Sequence, residues 1–300
     1  MQKISPYLWF TDKAEEAMNF YVSLYDNSRL VEIFYYPEGV EDEHMQGMQG
    51  KVLNGIFELA GQRFMALDGG PYFQLNPSIS FFVHCQDEEE IDRLYARLSP
   101  GGADLMPLQQ YPFAEKYVWL QDRYGLTWQL MLDRGEVTQK IRPAMMFVGE
   151  QAGKAEEAMS FYSSLFVDSG IEMVSRYASG GVDQEGTVNH ARFNLHGQGF
   201  IAMDSAFEHE FTFNEAISFY VDCASQSEVD SLWQQLSAVP EAEQCGWVKD
   251  RFGVSWQIVP SRLGELIKDP DPLKSRRVME AMLKMKKIEV DALERAYQGG

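Results

Sequence analysis

Two nine-residue segments constrain this chain more than any other feature: residues 13–21 read KAEEAMNFY and residues 154–162 read KAEEAMSFY, eight identities in nine positions. Helical composition alone leaves the polar positions free to vary, so agreement of that length marks an internal repeat. A second pair has the same offset order, WLQDRYGLTWQL at 119–130 and WVKDRFGVSWQI at 247–258. Each copy carries an Asp-Arg pair, an aromatic residue and a Gly, then a β-rich run with a Trp-Gln pair. Gly admits the positive φ of a tight turn, and the aromatic and β-branched residues around it suit half-buried strands. This hairpin closes each of two halves.

Between these landmarks the halves follow one plan. Residues 4–10 alternate as a strand, and Asp12 with Glu15 three positions on predicts a capped helix with Ala14, Ala17, Met18, Tyr21, Leu24 and Tyr25 on its apolar stripe. Strands follow at 30–36, 52–59 and 63–67, with a polar loop at 37–50; the second half repeats them as far as 187–195 and 200–203. Strand, helix and three strands make a βαβββ module. A second module opens in each half with ISFFVHC at 79–85 or ISFYVDC at 217–223, followed by helices over 87–98 and 225–236 whose starts pair Asp87 with Glu90 and Ser225 with Glu228. The chain therefore reads as α+β, with four modules in all.

Residues 133–140 are short, polar and unpatterned, which is linker composition. Past residue 262, Asp271-Pro272 has the pattern of an N-cap followed by Pro in the first turn. Val278, Met279, Met282, Leu283 and Met285 form an apolar stripe, and Asp291 with Glu294 opens a last short helix. Such a tail packs on its own domains, on a dimer mate, or on another protein.

A formal charge of −19 leaves no broad basic surface for nucleic acid or anionic lipid, so neither is an expected partner. Cys85, Cys223 and Cys245 show no metal or disulfide spacing, and the first two close equivalent strands as small core residues of a reducing compartment. No apolar run reaches membrane-spanning length, and the first residues lack a basic segment followed by an apolar one. The expected location is the cytoplasm.

KAEEAMxFY, GQxFxAxD, the ISFxV strand, DRxGxxWQ and the tail DPLKSRRVMEAMLKMKKIEV together resemble the PhnB-like branch of the glyoxalase, bleomycin-resistance and extradiol dioxygenase superfamily, the vicinal oxygen chelate proteins. The resemblance spans nearly the whole chain. It implies tandem domains over 1–134 and 140–262, a linker at 135–139 and a helical extension at 263–300. Each half would curl its two modules into a cupped sheet with helices outside, and the halves would pack as a pseudo-dimer within a monomer or a homodimer. Whether strands are exchanged between halves is open at this stage. Members of this branch are often labelled demethylubiquinone methyltransferases. No Gly-rich turn after a strand with an acidic residue about 20 positions on supports a nucleotide-type cofactor here.

Metal-dependent members of the superfamily place His, Gln or Glu ligands at four inward strand positions, which project onto Ser5, Ala66, Ser78 and Gln129 in the first half and Arg142, Ala202, Ala216 and Gln257 in the second. Ala has no donor atom, and one Gln per half is no metal site, so neither metal nor other cofactor is expected. If Gln129 and Gln257 face the cups, strand alternation adds Thr127, Met131, Ser255 and Val259 and turns Trp128 and Trp256 to the helix layer. The same rule places Tyr7, Trp9, Ser80, Phe82 and His84 in the first cup, and Met146, Ser218, Tyr220 and Asp222 in the second. His190 stands in VNHARFNL where the first half has Asn54, as a ligand-binding or a structural histidine. His44, His196 and His209 match no metal spacing. Asp122 and Asp250 suit bonding to their turn backbones, and Asp68 and Asp204 also read as structural.

Candidate ligand-binding residues are thus Tyr7, Trp9, Phe82, His84, Gln129, His190, Tyr220 and Gln257. The leading expectation is a metal-free protein holding a small aromatic or hydrophobic molecule in a cup. Its alternatives are a metal-dependent lyase, isomerase or oxygenase, and an interaction protein acting through the C-terminal helix. Aromatic residues that merely fill the sheets are the competing explanation of the inward-facing residues.

Overall fold

A computed structural model describes residues 2–36, 47–135 and 137–299. Most of the expected loop at 37–50, including His44, and Glu136 of the linker lie outside the described residues. The chain divides into a larger unit, residues 6–217, and a smaller one, residues 1–5 with 218–300.

The larger unit contains a complete eight-stranded sheet. Its strands are β5 (Ile79–Cys85), β6 (Ala103–Tyr111), β7 (Ala114–Gln121), β8 (Thr127–Leu132), β9 (Ile141–Phe147), β10 (Gly170–Arg176), β11 (Val188–Leu195) and β12 (Gln198–Asp204). Their order is β10-β11-β12-β9-β5-β8-β7-β6. Within each module the first and last strands run parallel, β9 with β12 and β5 with β8, and the two modules join where β5 meets β9 antiparallel, Ile79 opposite Met145 through Val83 opposite Ile141. The modules that share this sheet are therefore the second of the first half and the first of the second half. Strands from the two halves thus share one curved sheet, which answers the question of exchange that the sequence leaves open. The short connection between β8 and β9 explains the pairing, since it returns the chain directly to the edge of β5.

The larger unit also holds most of β1 (Ile4–Phe10), with β2 (Arg29–Tyr35), β3 (Val52–Leu59) and β4 (Gln62–Asp68), in the order β1-β4-β3-β2. Helices α1 (Ala14–Val22), α2 (Glu88–Leu98) and α3 (Ala155–Leu165) belong to the same unit. The apolar stripe of α1 buries Ala14, Ala17, Met18 and Tyr21 at the spacing of one helix face. The predicted Asp12 cap does not form. Asp68, at the end of β4, instead accepts from the Ala14 N–H at 2.8 Å and from the Val52 N–H at 2.9 Å. Asp204 repeats the arrangement with Ala155 and Val188. A buried carboxylate that ties a helix start to a neighbouring strand displaces the exposed local cap. Asp87 does cap α2, accepting from the Glu90 N–H at 2.8 Å.

Asp122 is the tightest polar junction of this unit. It is 2% exposed and accepts from the Tyr124 and Leu126 N–H groups, from the Trp128 indole at 2.9 Å and from the Tyr21 hydroxyl at 2.8 Å. The turn-bonding reading of Asp122 holds, with the addition that it links α1 to the β7–β8 hairpin. Trp128 is buried in the helix layer against Tyr21, Tyr25 and Phe81, as alternation requires.

In the smaller unit, β13 (Ile217–Cys223) runs parallel to β15 (Ser255–Pro260), and β14 (Trp247–Lys249) pairs antiparallel with β15. The first residues of β1 enter this unit, where Asp222 N–H donates to Lys3 O at 3.0 Å. Within this unit the strand order is β14-β15-β13. Helix α4 (Gln226–Leu236) is capped by Ser225, and Asp250 accepts from the Phe252 and Val254 N–H groups and from the Trp256 indole, as its counterpart does from Tyr124, Leu126 and Trp128.

No long strand corresponding to β6 precedes β14. The C-terminal segment takes up the exposed edge: Cys245 N–H donates to Met285 O and Gly246 N–H to Lys286 O. Gly246 has φ 89°, and a Cβ there would lie 3.2 Å from Ile258 O. Helices α5 (Ser261–Ile267), α6 (Pro272–Met282) and α7 (Val290–Gln298) bury Leu263, Leu266, Val278, Ile288 and Leu293 together with Val259, and Tyr220 packs against the cluster. Asp271 caps α6 and Pro272 occupies its first turn, as the sequence predicts.

Ile288→Ala is expected to cost about 2–5 kcal/mol, the range for emptying a buried aliphatic site, and Asp122→Ala about 3 kcal/mol or more through its orphaned donors. Urea denaturation of both variants checks these values; a loss under about 1 kcal/mol for either contradicts its assigned role.

Candidate functional site

The concave face of the eight-stranded sheet gathers chemistry that no single half contains. β5 contributes Ser80, Phe82 and His84; β8 contributes Gln129 and Met131; β7 contributes Tyr117 and Trp119. β9 supplies Arg142 and Ala144, β12 supplies Ile201 and Met203, and β11 supplies His190 and Arg192. Phe82, Tyr117, Ala144 and Ile201 form its apolar floor, with Met106, Tyr111, Trp119, Met131 and Met203 packed on them. Tyr111, Tyr117 and the exposed Phe113 continue this surface outward, with ring centroids 5.2–5.7 Å apart.

Curvature brings the two sides together. β5 and β11 are separated by β9 and β12, which in a flat sheet is about 14 Å. Yet the Phe82 and His190 rings approach to 5.9 Å, and Phe82 lies 5.0 Å from His84. Ala144, in the same apolar cluster as Phe82, stands where the repeat has Tyr7 in β1.

Polar groups on this face divide into satisfied and unsatisfied sets. Gln129 is satisfied: its amide donates to Ser80 Oγ at 2.7 Å and accepts from the Tyr117 hydroxyl at 2.7 Å. His84 Nδ1 lies 2.9 Å from Asp133 Oδ2, but its Nε2 is buried without a hydrogen-bond partner. The Nε atoms of Arg142 and Arg192 and the Trp119 indole nitrogen are likewise buried and unpartnered. Arg142, 9% exposed, lies over the backbone of Gly199, where a Cβ would come within 3.0 Å of its Cζ. Glu172 approaches Arg142 at 3.5 Å, a long contact.

The electrostatics follow. Burial first, then the Arg192 guanidinium, His84 and Arg142, lowers the His190 pKa to about 4. His84 is also lowered, by burial foremost and by the two arginines, against the raising effect of Asp133. Burial pushes the Asp133 carboxyl up, but the Gly135 N–H and His84 more than offset it and leave it below its usual range. Tyr117 is raised by burial, and the Cys85 and Cys223 thiols are pushed up by burial to about 12.

Phe82, His84, Gln129 and His190 thus share one face. Tyr7 and Trp9 do not join them, because β1 belongs to the other sheet. Tyr7 donates to Asn54 Oδ1 at 2.9 Å, and Trp9 donates to Gly70 O and packs edge-on against Phe73. In the smaller unit, Gln257 donates to Ser218 Oγ at 3.0 Å and Tyr220 packs under the tail helices. Of the projected metal positions, alternation beside Ile201 and Met203 turns Ala202 off the cup. Arg142 brings a cation to another, and both ends of the Gln129 amide are engaged. This donor set does not fit a divalent metal, and among the described residues no three His, Cys, Asp or Glu side chains group to hold one. Tyr117, Trp119 and Arg192 were not among the sequence candidates. Departure of the second copy from the first, Arg192 for Ile56 and Arg142 for Ser5, is the signal that marks the arginines.

Curved mixed sheets of paired βαβββ modules, with the motifs set out above, define the vicinal oxygen chelate fold in its PhnB-like branch. The family model described as 3-demethylubiquinone-9 3-methyltransferase matches residues 2–131 and again 139–259, and the chain belongs to that family. A PhnB protein from Bacillus cereus is 46% identical, covering 44% of this chain and 100% of its own, with a TM-score of 0.41. A protein from Staphylococcus aureus is 35% identical over 44% of this chain and 97% of its own, TM-score 0.19. A glyoxalase I mutant from Zea mays is 12% identical over 86% of this chain and 95% of its own, TM-score 0.49. Comparison with curated proteins gave no match. Among the described residues, no helix is long and apolar enough to cross a membrane.

The low pKa of His190 carries a stability consequence. Below its ordinary value of 6.5 the unfolded chain takes up a proton that the folded site refuses until about pH 4. Stability should therefore fall as pH drops through that window, by at most about 3 kcal/mol from this group. Urea midpoints between about pH 7 and pH 4 should fall less steeply for His190→Gln; identical slopes contradict the assignment.

Proposed function

We propose that this protein binds a small molecule with an aromatic or otherwise apolar body on the concave face of the eight-stranded sheet, without a metal ion. The observation that carries this reading is the coexistence, on one face, of an apolar floor built on Phe82, Tyr117 and Ile201 with four buried polar atoms that have no partner. Binding sites combine mostly apolar walls with a few directed polar groups. A buried polar atom left unsatisfied costs on the order of 1–3 kcal/mol, which a ligand that reaches it relieves.

Metal-assisted lyase, isomerase or oxygenase chemistry finds little support in a donor set that pairs an arginine with an engaged glutamine. The tail helices bury Leu263, Leu266, Val278 and Leu293 against their own unit, with Met282 and Met285 packed on them, which argues against using that stripe to hold another protein. The methyl transfer for which the family is named is not part of this reading, because the sequence carries no Gly-rich turn of the kind that serves a nucleotide-type methyl donor.

The test is a thermal-shift and NMR screen of the full chain against neutral and charged aromatic compounds, with and without EDTA. Hits should survive the chelator, and Phe82→Ala should weaken them about tenfold, the value of one well-buried aromatic contact. No hit in the panel, or hits abolished by EDTA, would overturn the reading.

A further inference from the structure

We propose that the ligand of this cup is an aromatic hydroxy-carboxylic acid, its carboxylate held by Arg142 and Arg192 and its hydroxyl donating to Nε2 of His84. The inference rests on the small-molecule reading above and specifies its chemistry. Three features of the face carry it.

First, each guanidinium has a buried Nε–H that lacks an acceptor, while Nη1 of Arg142 makes only the 3.5 Å contact with Glu172. Arg presents a planar fork matched to carboxylate oxygens, and an arginine pair at an apolar wall is an anion site by charge and shape. The placement is built: Gly199 leaves room for the Arg142 side chain, where the repeat has Arg63 in the strand and Ser5 opposite.

Second, the polarity of His84 is fixed by its partner. An ionised Asp133 can only accept, so Nδ1 carries the hydrogen and donates to it. In the neutral ring, Nε2 is then a bare lone pair, buried without a donor on a strand that lines the cup. A carboxylate there would set lone pair against lone pair, whereas a hydroxyl donates. The ligand must therefore bring an acceptor anion to the arginines and a donor to the histidine. Third, the Phe82 and His190 rings approach to 5.9 Å, and Tyr117 in the floor with Trp119 packed on it adds aromatic faces, giving ring-on-ring contacts to an aryl group.

The experiment compares mandelate, phenylacetate and mandelamide by isothermal titration calorimetry on the full-length protein, with Arg192→Gln and Arg142→Gln variants checked for folding by circular dichroism. Mandelate should bind tightest, mandelamide about tenfold weaker or worse, and phenylacetate several-fold weaker, since each lacks one buried hydrogen-bonding partner. Arg192→Gln should erase the preference for mandelate over mandelamide. Because Arg192 is the less buried arginine, that variant carries the test if Arg142→Gln does not fold. Equal affinity for mandelate and mandelamide would overturn this inference and leave the cup as a binding site. So would binding of neutral aromatics with none of mandelate. Absence of binding by any aromatic compound would overturn both readings.

Discussion

The arrangement depends on the antiparallel pairing of β5 with β9. Five residue pairs, from Ile79–Met145 to Val83–Ile141, join modules from different halves into one sheet. They set Phe82 directly beside Arg142. Without that junction the aromatic side of the cup and its arginine side would lie in separate sheets. The fold thus makes its candidate site from two sequence halves, neither of which carries both kinds of residue.

Duplication copied the backbone plan and left the faces free to diverge. The capping carboxylates Asp68 and Asp204, the turn carboxylates Asp122 and Asp250, and the Ser-Gln pairs Ser80–Gln129 and Ser218–Gln257 recur with the same partners. These groups satisfy buried backbone or side-chain donors, so losing one costs stability. The remaining cup-facing positions carry no such constraint. There Tyr7 gives way to Ala144, Asn54 to His190 and Ile56 to Arg192, changes that open space and add positive charge in the eight-stranded sheet. The smaller unit diverges differently, replacing an edge hairpin with helices that cover Tyr220 and Val259.

Much of this was legible in the residues. Repeat, modules and strand alternation are local patterns, and Phe82, His84 and Gln129 followed from alternation once one residue of the face was placed. The grouping of modules into sheets was not, because strand pairing between distant segments leaves no periodicity in either strand. That is why Tyr7 and Trp9 were grouped with Phe82. The cap on α1 was misplaced for a related reason: Asp12 satisfies the local rule, but Asp68 arrives from 54 residues away through the fold. The role of Asp133 was equally hidden, since its contact with His84 spans 49 residues.

The most direct test of the central claim is a 15N-edited NMR spectrum of the histidine side chains during titration with an aromatic ligand. The account predicts that the His84 and His190 imidazole resonances shift together, with His84 keeping its proton on Nδ1, while His196 and His209 in their loops stay unchanged. Saturable binding that moves neither His84 nor His190 would place the site elsewhere and contradict the account.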